Sequence, residues 1–347
     1  MTQAQSSTDA NQDGDGMSHP AASSARARFL GRFRRWWQPA GMWRRGIIVA
    51  ALAAVLALLL FFHSDVPNRI GNLGSLLETF LPWLGLAIPV LLVLAVVRRS
   101  ATALIVLVIP ATIWLNLFGG LLTDKASSGG NLTVLTHNVN ADNPDPDGTA
   151  QDLIKAGADI VALEEVPDTE VTRYADDLKA AYPYHAVEGT VGLWSKYPLQ
   201  GVRPVDIKLG WTRAMRAAVS TPHGQVAVYV AHMPSVRVKF DAGFTAGQRD
   251  SAANALGEAI AAETLHSVVL LGDLNGTMND RALASVTSQM RSTQGAAGNG
   301  MGFSWPASFP MARIDQIMVK GIEPKSSWTL PRTGSDHLPV AARLQVP

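Results

Sequence analysis

Three stretches without a single charged side chain, residues 46–62, 79–97 and 100–123, most constrain what this chain can fold into. They run for 17, 19 and 24 residues. A helix needs about 20 apolar residues to cross the hydrocarbon core of a bilayer, within a range near 17–25. All three are therefore expected to be transmembrane helices. Pro82, Pro89 and Pro110 fall inside the second and third. Prolines at such depth kink a membrane helix rather than abolish it. A cleaved signal peptide is the competing reading of the first stretch, but the flank Phe61-Phe62-His63-Ser64-Asp65 lacks a small-residue cleavage pattern.

The flanks of these stretches give a direction. Residues 1–25 are rich in Ser, Ala, Gln, Asp and Gly without apolar period, as expected of a disordered tail. Arg26, Arg28, Arg32, Arg34, Arg35, Arg44 and Arg45 follow, interleaved with Trp36, Trp37 and Trp43. Arg with Trp also suits nucleic acid, but an apolar segment begins at once, so the run reads as a juxtamembrane cluster with interfacial tryptophans. Arg98 and Arg99 separate the second and third stretches, whereas Arg69 stands alone between the first and second. The Lys/Arg bias predicts a multi-pass protein of the plasma membrane, N terminus cytoplasmic and everything beyond about residue 123 outside. Only Glu78 and Asn116 bring strong polarity to the spans, too little for a transport path, so an anchor is the simpler role.

The net charge of +1 hides two unlike parts. Residues 1–130 hold eleven Lys and Arg against six Asp and Glu; residues 131–347 hold eighteen against twenty-two. An anchor of net +5 thus precedes a domain of net −4. The organisation expected is a cytoplasmic tail over 1–45, a three-helix anchor over 46–123, a short flexible linker over 124–130 and a globular domain over 131–347. Cys is absent, which removes disulfides, thiolate metal sites and thiol nucleophiles. Arg outnumbers Lys by 21 to 8, a usage that a GC-rich bacterial genome would give.

From residue 131 short apolar runs alternate with amphipathic segments. Strands are expected over 132–139, 159–163, 192–195, 214–220, 225–231, 267–271, 314–319 and 338–344, and helices over 149–156, 170–181 and 244–265. Alternating elements with several adjacent strands predict a layered α/β fold. The glycine-rich stretch 295–302 reads as a mobile loop near a site, and Trp305 suits either a substrate contact or the core.

Polar residues interrupt the strand ends: Asn138, Glu164 and Glu165, His232, Asp273 and Asn275, Asp315, and Asp336 with His337. Singly each has a dull explanation, since Asn or Asp after a strand usually starts a turn and a lone His is usually structural. Together they supply hard oxygen ligands for Mg²⁺, two imidazoles for proton transfer and carboxylates to orient them. Strand ends converge on one rim of a sheet, where ligand sites tend to lie.

The blocks Thr136-His137-Asn138-Val139-Asn140, Ala162-Leu163-Glu164-Glu165-Val166, Gly192-Leu193-Trp194-Ser195-Lys196-Tyr197-Pro198, Ala231-His232-Met233, Gly272-Asp273-Leu274-Asn275, Arg313-Ile314-Asp315-Gln316-Ile317 and Ser335-Asp336-His337-Leu338-Pro339-Val340 resemble, in this order, the endonuclease/exonuclease/phosphatase superfamily. That group includes pancreatic-type deoxyribonuclease, abasic-site endonucleases, neutral sphingomyelinases and inositol-polyphosphate 5-phosphatases. The resemblance covers residues 131–347 and implies a four-layer α/β sandwich with two mostly antiparallel sheets face to face. It implies Glu165 as a metal ligand, with Glu164, where a Gln is common, as its neighbour. Asn138 would help hold metal and phosphate, and Asp336 would sit at the metal edge. Asp273 would orient or deprotonate the attacking water, and Asn275 would contact the phosphate. His337 would face the scissile phosphate, oriented by Asp315, and His232 would be a second catalytic His. Arg216 would lie near the substrate. The metal implied is Mg²⁺, with Mn²⁺ as an alternative; Asn140 stands where some relatives carry an acid, which leaves one or two ions open.

The expected activity is metal-dependent hydrolysis of a phosphodiester or phosphomonoester. A net charge of −4 and scattered basic residues suit a lipid or envelope substrate at a membrane face better than nucleic acid, although Lys196, Arg203, Lys208, Arg213 and Arg216 could still form a local patch. Anchoring beside a lipid raises effective concentration without new contacts. An extracellular Mg²⁺-dependent nuclease and a catalytically inactive binding module are the alternatives. No obligate protein partner is indicated.

Overall fold

The computed structural model describes residues 41–68, 71–236 and 243–347. The expected disordered tail, the tail's arginines up to Arg35, Trp36, Trp37 and Arg69 lie outside the described residues.

The apolar region forms helices α1 (Ile47–Phe61), α2 (Leu73–Thr79), α3 (Ala87–Val97) and α4 (Ala101–Phe118). Helix α4 starts where the Ser100 hydroxyl accepts the Ala103 N–H at 3.2 Å. With the turn that follows, Ala101–Leu121 is long and apolar enough to cross a membrane, and only 17% of it is buried inside the protein, unlike a core helix. The second expected span departs from a straight helix. Helix α2 gives way at Phe80, and Pro82 opens a tight 3₁₀ run over Leu81–Leu86 before α3; the two arms meet at a 67° bend. Helix α1 has 15 residues, short of a full span. Three transmembrane helices are therefore not established; among the described residues one helix qualifies by length and composition, or two if the bent pair is counted as one span. All three arms carry apolar side chains outward, among them Leu52, Val55, Leu58, Val93, Val97, Ile105 and Val108.

The rest of the chain continues as β1 (Leu132–Asn138), α5 (Pro146–Ala156), β2 (Ile160–Glu164), α6 (Val171–Leu178), β3 (Tyr184–Glu188), β4 (Val191–Ser195), β5 (Leu199–Pro204), β6 (Ala214–Thr221), β7 (Gly224–Ala231), α7 (Gly243–Ala261), β8 (Val268–Asp273), α8 (Ala284–Thr287), β9 (Arg291–Ser292), α9 (Thr293–Ala297), β10 (Asp315–Lys320), β11 (Glu323–Thr329) and β12 (Val340–Gln345). Local chemistry sets the boundaries. For α5, Asp145 caps the N terminus, Pro146 supplies a preset first φ, and Gly157 in the left-handed region closes the C terminus.

Two six-stranded sheets result, in the orders β11-β12-β1-β2-β4-β3 and β5-β6-β7-β8-β10-β9. Both are mixed, each with one parallel pair at its centre, β1–β2 and β7–β8. Alternate residues of a strand face opposite ways, so Val134, Ile160, Leu193, Val228, Leu271, Ile317 and Val340 fill the space between the sheets. Each such side chain contributes roughly 1.5–3 kcal/mol by leaving water. Outside, Leu153, Tyr174 and Leu178 of α5 and α6 cover the first sheet, and Ala252, Leu256 and Ile260 of α7 cover the second. The four layers follow.

The apolar region is fastened to this sandwich. The Trp83 indole donates to the Met311 carbonyl at 2.8 Å and stacks on Phe303 at 5.7 Å between centroids. Arg281 donates to the Ser64 carbonyl at 2.7 Å, Thr277 to the Glu78 carbonyl at 3.2 Å, and Arg249 to the Ser75 hydroxyl at 3.2 Å. The stretch read as a mobile loop is built differently: α9 occupies its start, Gly298 bridges to Ser327, and the Gln294 amide donates to the carbonyls of Asn299 and Gly300. Internal hydrogen bonds there replace the freedom that its glycines suggested.

Candidate active site

The inward alternation of four strands runs out in polar residues at one end of the sandwich. Val134 and Thr136 lead to Asn138, Ile160 and Ala162 to Glu164, and Val269 and Leu271 to Asp273; Asp315 begins β10 directly opposite Asp273. Gly272 makes this possible on β8. Its φ is +150°, and a Cβ there would stand 1.9 Å from the Ala231 carbonyl oxygen of the neighbouring strand. Beyond the strand ends, Glu165 (φ 58°) and Asn275 (φ 48°) adopt the left-handed region. Non-glycine residues held there cost energy, and such positions cluster at functional sites.

Asp273 is the hub. Its Oδ1 accepts the Asn275 N–H at 2.8 Å, and its Oδ2 accepts the amides of Asn138 at 3.0 Å and Asn275 at 3.1 Å. The same Asn138 amide donates to Glu165 Oε1 at 3.2 Å, so both carboxylates converge on one point. Nε2 of His232 lies 3.5 Å from Glu165 and 3.6 Å from Asp273, and Nε2 of His337 lies 3.9 Å from Asp273. On its other side His337 Nδ1 meets both oxygens of Asp315 at 3.0 and 3.1 Å. Ser304 donates to Asp315 at 2.6 Å. Among the described residues, Asp273, Asp315 and His337 form a buried group able to hold a metal ion.

The electrostatics separate the two imidazoles. Burial alone would depress His337, but the Asp315 carboxylate, with Asp273 behind it, outweighs burial and lifts it to about 10. Burial would raise Asp315, yet His337 and Ser304 hold it below the usual range. His232 is driven well below its ordinary value by burial, then by Arg213, whose guanidinium contacts the ring, and by His337. Burial and the Asp315 charge push Asp273 up to about 7. At neutral pH the site therefore offers an imidazolium donor, a neutral imidazole and a carboxyl poised to exchange a proton. Groups whose surroundings drive their pKa values apart are the mark of acid–base assignments.

Beside this cluster a cavity of about 210 Å³ opens between Glu165, His232, Arg213, Trp211, Pro167 and Thr190. Trp211 is exposed, with the Arg213 guanidinium 4.9 Å over its ring. Glu164 lies fully buried, accepting from Thr136 Oγ1 at 2.8 Å, and burial with Asp315 and Asp273 pushes its carboxyl well up. It is a neutral neighbour to the site.

The structure thus gathers Asn138, Glu165, His232, Asp273, Asn275, Asp315 and His337. One expectation needs correction. Arg216 is not at the site: β6 turns it to the outer face, where it forms a two-pronged ion pair with Glu263 at 2.9 and 3.0 Å beside the Tyr229 hydroxyl. The alternation that sends Met215 and Ala217 inward sends Arg216 outward. Asp336 stands at the rim next to His337, where its exposed carboxylate accepts the Trp305 indole N–H at 3.4 Å. Trp305 is accordingly a half-buried rim residue rather than a core one. Missed from the sequence were Arg213, Trp211 and Ser304, which approach the cluster from loops with no apolar pattern to flag them.

Residues 135–337 match the model of the Endonuclease/Exonuclease/phosphatase family. Among solved structures, an endonuclease/exonuclease/phosphatase from Bacteroides vulgatus superposes with a TM-score of 0.51 at 18% identity, covering 62% of this chain and 99% of that one. Truncated TDP2 of Caenorhabditis elegans gives 0.50 at 20% identity, covering 61% and 97%. TDP2 of D. rerio, complexed with a single-strand DNA product, gives 0.51 at 15% identity, covering 61% and 98%. Identities this low speak to the fold. A search of curated proteins by sequence finds no match.

Proposed function

The chain belongs to the endonuclease/exonuclease/phosphatase family of phosphoesterase hydrolases, and from that premise we propose that it is a membrane-attached, metal-dependent phosphoesterase whose substrate is a lipid or another envelope phosphate ester. The observation that carries the hydrolytic part is the convergence of Asn138, Glu165, His232, Asp273 and the His337–Asp315 pair on one rim.

A divalent cation fits the donors there. Glu165 and Asp273 offer hard carboxylate oxygens that already share one amide partner, and a rotated Asn138 amide would add a third oxygen. Mg²⁺ is the ion such a set suits, with Mn²⁺ as a substitute. Asp315 is better kept as the orienting carboxylate, because His337 and Ser304 already occupy its oxygens. Asp336, an exposed carboxylate at the rim, is the further oxygen donor for the metal edge. When bound, the ion would draw charge from the phosphoryl oxygens and steady the leaving oxygen. His337, protonated and oriented by Asp315, donates to a phosphoryl oxygen as charge accumulates. Asp273 positions the attacking water and takes its proton. Asn275 and Asn138 fix the phosphate and the carboxylates.

Membrane attachment is supported by the outward apolar side chains of α1, α3 and α4, among them Leu58, Val97 and Val108. With the arginine distribution it supports the N terminus inside, the hydrolase outside, and the domain limits given above. Retention of the full chain in membranes after alkaline extraction, and protease access to residues 131–347 only from outside, are the expected results.

One observation favours a second reading. Exposed Trp211 over Arg213 at the cavity mouth is a platform on which a nucleic-acid base stacks, and D. rerio TDP2 was crystallised with a DNA product. Head-group release from phospholipid vesicles against nicking of plasmid, both with Mg²⁺, separates the two. In either assay Asp273→Ala and His337→Ala should lower the rate by roughly 10²–10⁴ with the fold intact. Full activity in either variant removes the assignment, and failure of the wild type in both assays favours an inactive binding module.

A further inference from the structure

A second cavity, of about 310 Å³, lies where the end of α4 meets the catalytic sandwich, and none of Glu165, Asp273, Asp315 or His337 lines it. One wall is apolar, built by Leu117, Phe118 and Leu121 of the apolar region. The opposite side carries Arg313, Gln294 and Gln316.

Arg313 is 6% exposed. Its Nη1 donates to the Gly302 carbonyl at 2.9 Å, but Nε and Nη2 have no hydrogen-bond partner among the described residues. No acidic residue lines the cavity. The nearby Asp315 is engaged by His337 and Ser304. A second cation, Lys125, reaches the carbonyls of Gly120 and Gly295 at the same place. Burying a cation without a counter-charge is among the most costly arrangements a protein can hold. The unmet acceptors have their own meaning: Oε1 of Gln294 and of Gln316 are both buried without a donor. The cavity therefore asks for an anion that also carries hydroxyl groups, attached to something apolar. A single water needs about 30 Å³, so the space suits a head group rather than an isolated solvent molecule.

We propose that this cavity binds an anionic glycerophospholipid, its phosphate on Arg313 and Lys125, its head-group hydroxyls on Gln294 and Gln316, and its acyl chains leaving along Leu117 and Leu121. The site is separate from the hydrolytic centre, and the lipid is a bound ligand there, not the substrate. The inference rests on the proposed membrane attachment of the apolar helices, which alkaline extraction tests independently of any head-group preference.

The test uses the full chain in uncharged detergent, titrated with dihexanoyl phosphatidylglycerol, dihexanoyl phosphatidylcholine or inorganic phosphate, and read by melting temperature. Phosphatidylglycerol should bind at least about tenfold more tightly than phosphatidylcholine, a difference of about 1.4 kcal/mol. Phosphate alone should give no shift at the same concentration. Arg313→Gln should erase the preference. Met301→Trp, which fills the cavity from its lining and keeps the charge, should weaken phosphatidylglycerol binding; it stands as the test if Arg313→Gln fails to fold. Equal responses to the two lipids, a shift from phosphate alone, or an unchanged preference in the variants would overturn the proposal.

Discussion

Replacing Asp315 by Asn tests the charge logic of the site most directly. The substitution keeps the shape and one hydrogen-bond acceptor, turns the other oxygen into an amide donor, and removes the negative charge that faces His337 at 3.0 and 3.1 Å. Both partners are shielded from water, His337 at 6% exposure and Asp315 at none. Without that charge the burial that already opposes protonation is offset only by Asp273, 3.9 Å away, and the more distant Asp336. His337 then falls from about 10 to its ordinary 6.5 or below. A shift of that size corresponds to roughly 5 kcal/mol at about 1.4 kcal/mol per unit, and breaking a buried pair typically costs about 3–5 kcal/mol. The lost imidazolium donor should lower the hydrolysis rate by roughly 10²–10³ at neutral pH.

The sign of the pH dependence follows. His337 is raised in the folded protein, so the pair stabilises fully below about pH 6.5, and that stability is lost as pH rises through about 10. Hydrolysis of bis(p-nitrophenyl) phosphate with saturating Mg²⁺, followed across the range where histidines ordinarily titrate, is the assay. Asp315→Asn should gain a limb on which activity falls as pH rises through about 6.5, whereas the wild type should show no such limb. A variant that keeps most of the wild-type rate with an unaltered profile would refute the reasoning.

Three further outcomes are expected. Arg216→Ala breaks the buried pair with Glu263 and should cost roughly 3–5 kcal/mol in denaturant unfolding, with kcat/KM unchanged at a permissive temperature. Leu271→Ala empties a fully buried position between the sheets and should cost about 2–5 kcal/mol by the same measurement. Chelation should abolish hydrolysis, Mg²⁺ should restore it and raise Tm, and Glu165→Gln should need at least about tenfold more Mg²⁺ for half-activation, the scale of a lost carboxylate ligand or its support.

The layered fold was legible wherever a strand is buried on both faces. Strands β2, β7 and β8 contain continuous apolar runs, β1 mixes Thr with Leu and Val, and their polar terminators announced Asn138, Glu165, His232 and Asp273. Strands β3, β5 and β11 were not legible, because each lies at a sheet edge and carries exposed polar residues such as Tyr184, Gln200 and Glu323. Edge strands gain their place from a neighbour's backbone, not from their own apolar pattern. Arg216 misled because it was placed by resemblance to a strand arginine of the family, whereas the regular alternation of β6, inward at Met215 and Ala217, turns it to the outer face. Arg213 and Ser304 were hidden for a different reason: they reach the cluster by tertiary approach of irregular chain, which no local periodicity encodes. The 67° bend falls where Pro82 opens the 3₁₀ run, at one of the prolines expected to kink this stretch.

The clasp of Trp83 on Phe303 and Met311 has a practical corollary. The strand of chain it grips also carries Ser304 and leads into Asp315, so the apolar segment and the acid–base pair share one support. Cutting the chain after residue 123 to obtain a soluble enzyme would strip Phe303 of its stacking ring, leave Arg281 and Thr277 without the carbonyls they bond, and bare an apolar seam in the process. Such a fragment is a different object from the intact hydrolase. Weak turnover by it would measure the loss of a buttress, and the intact chain in detergent or bilayer is the form whose rates describe the enzyme.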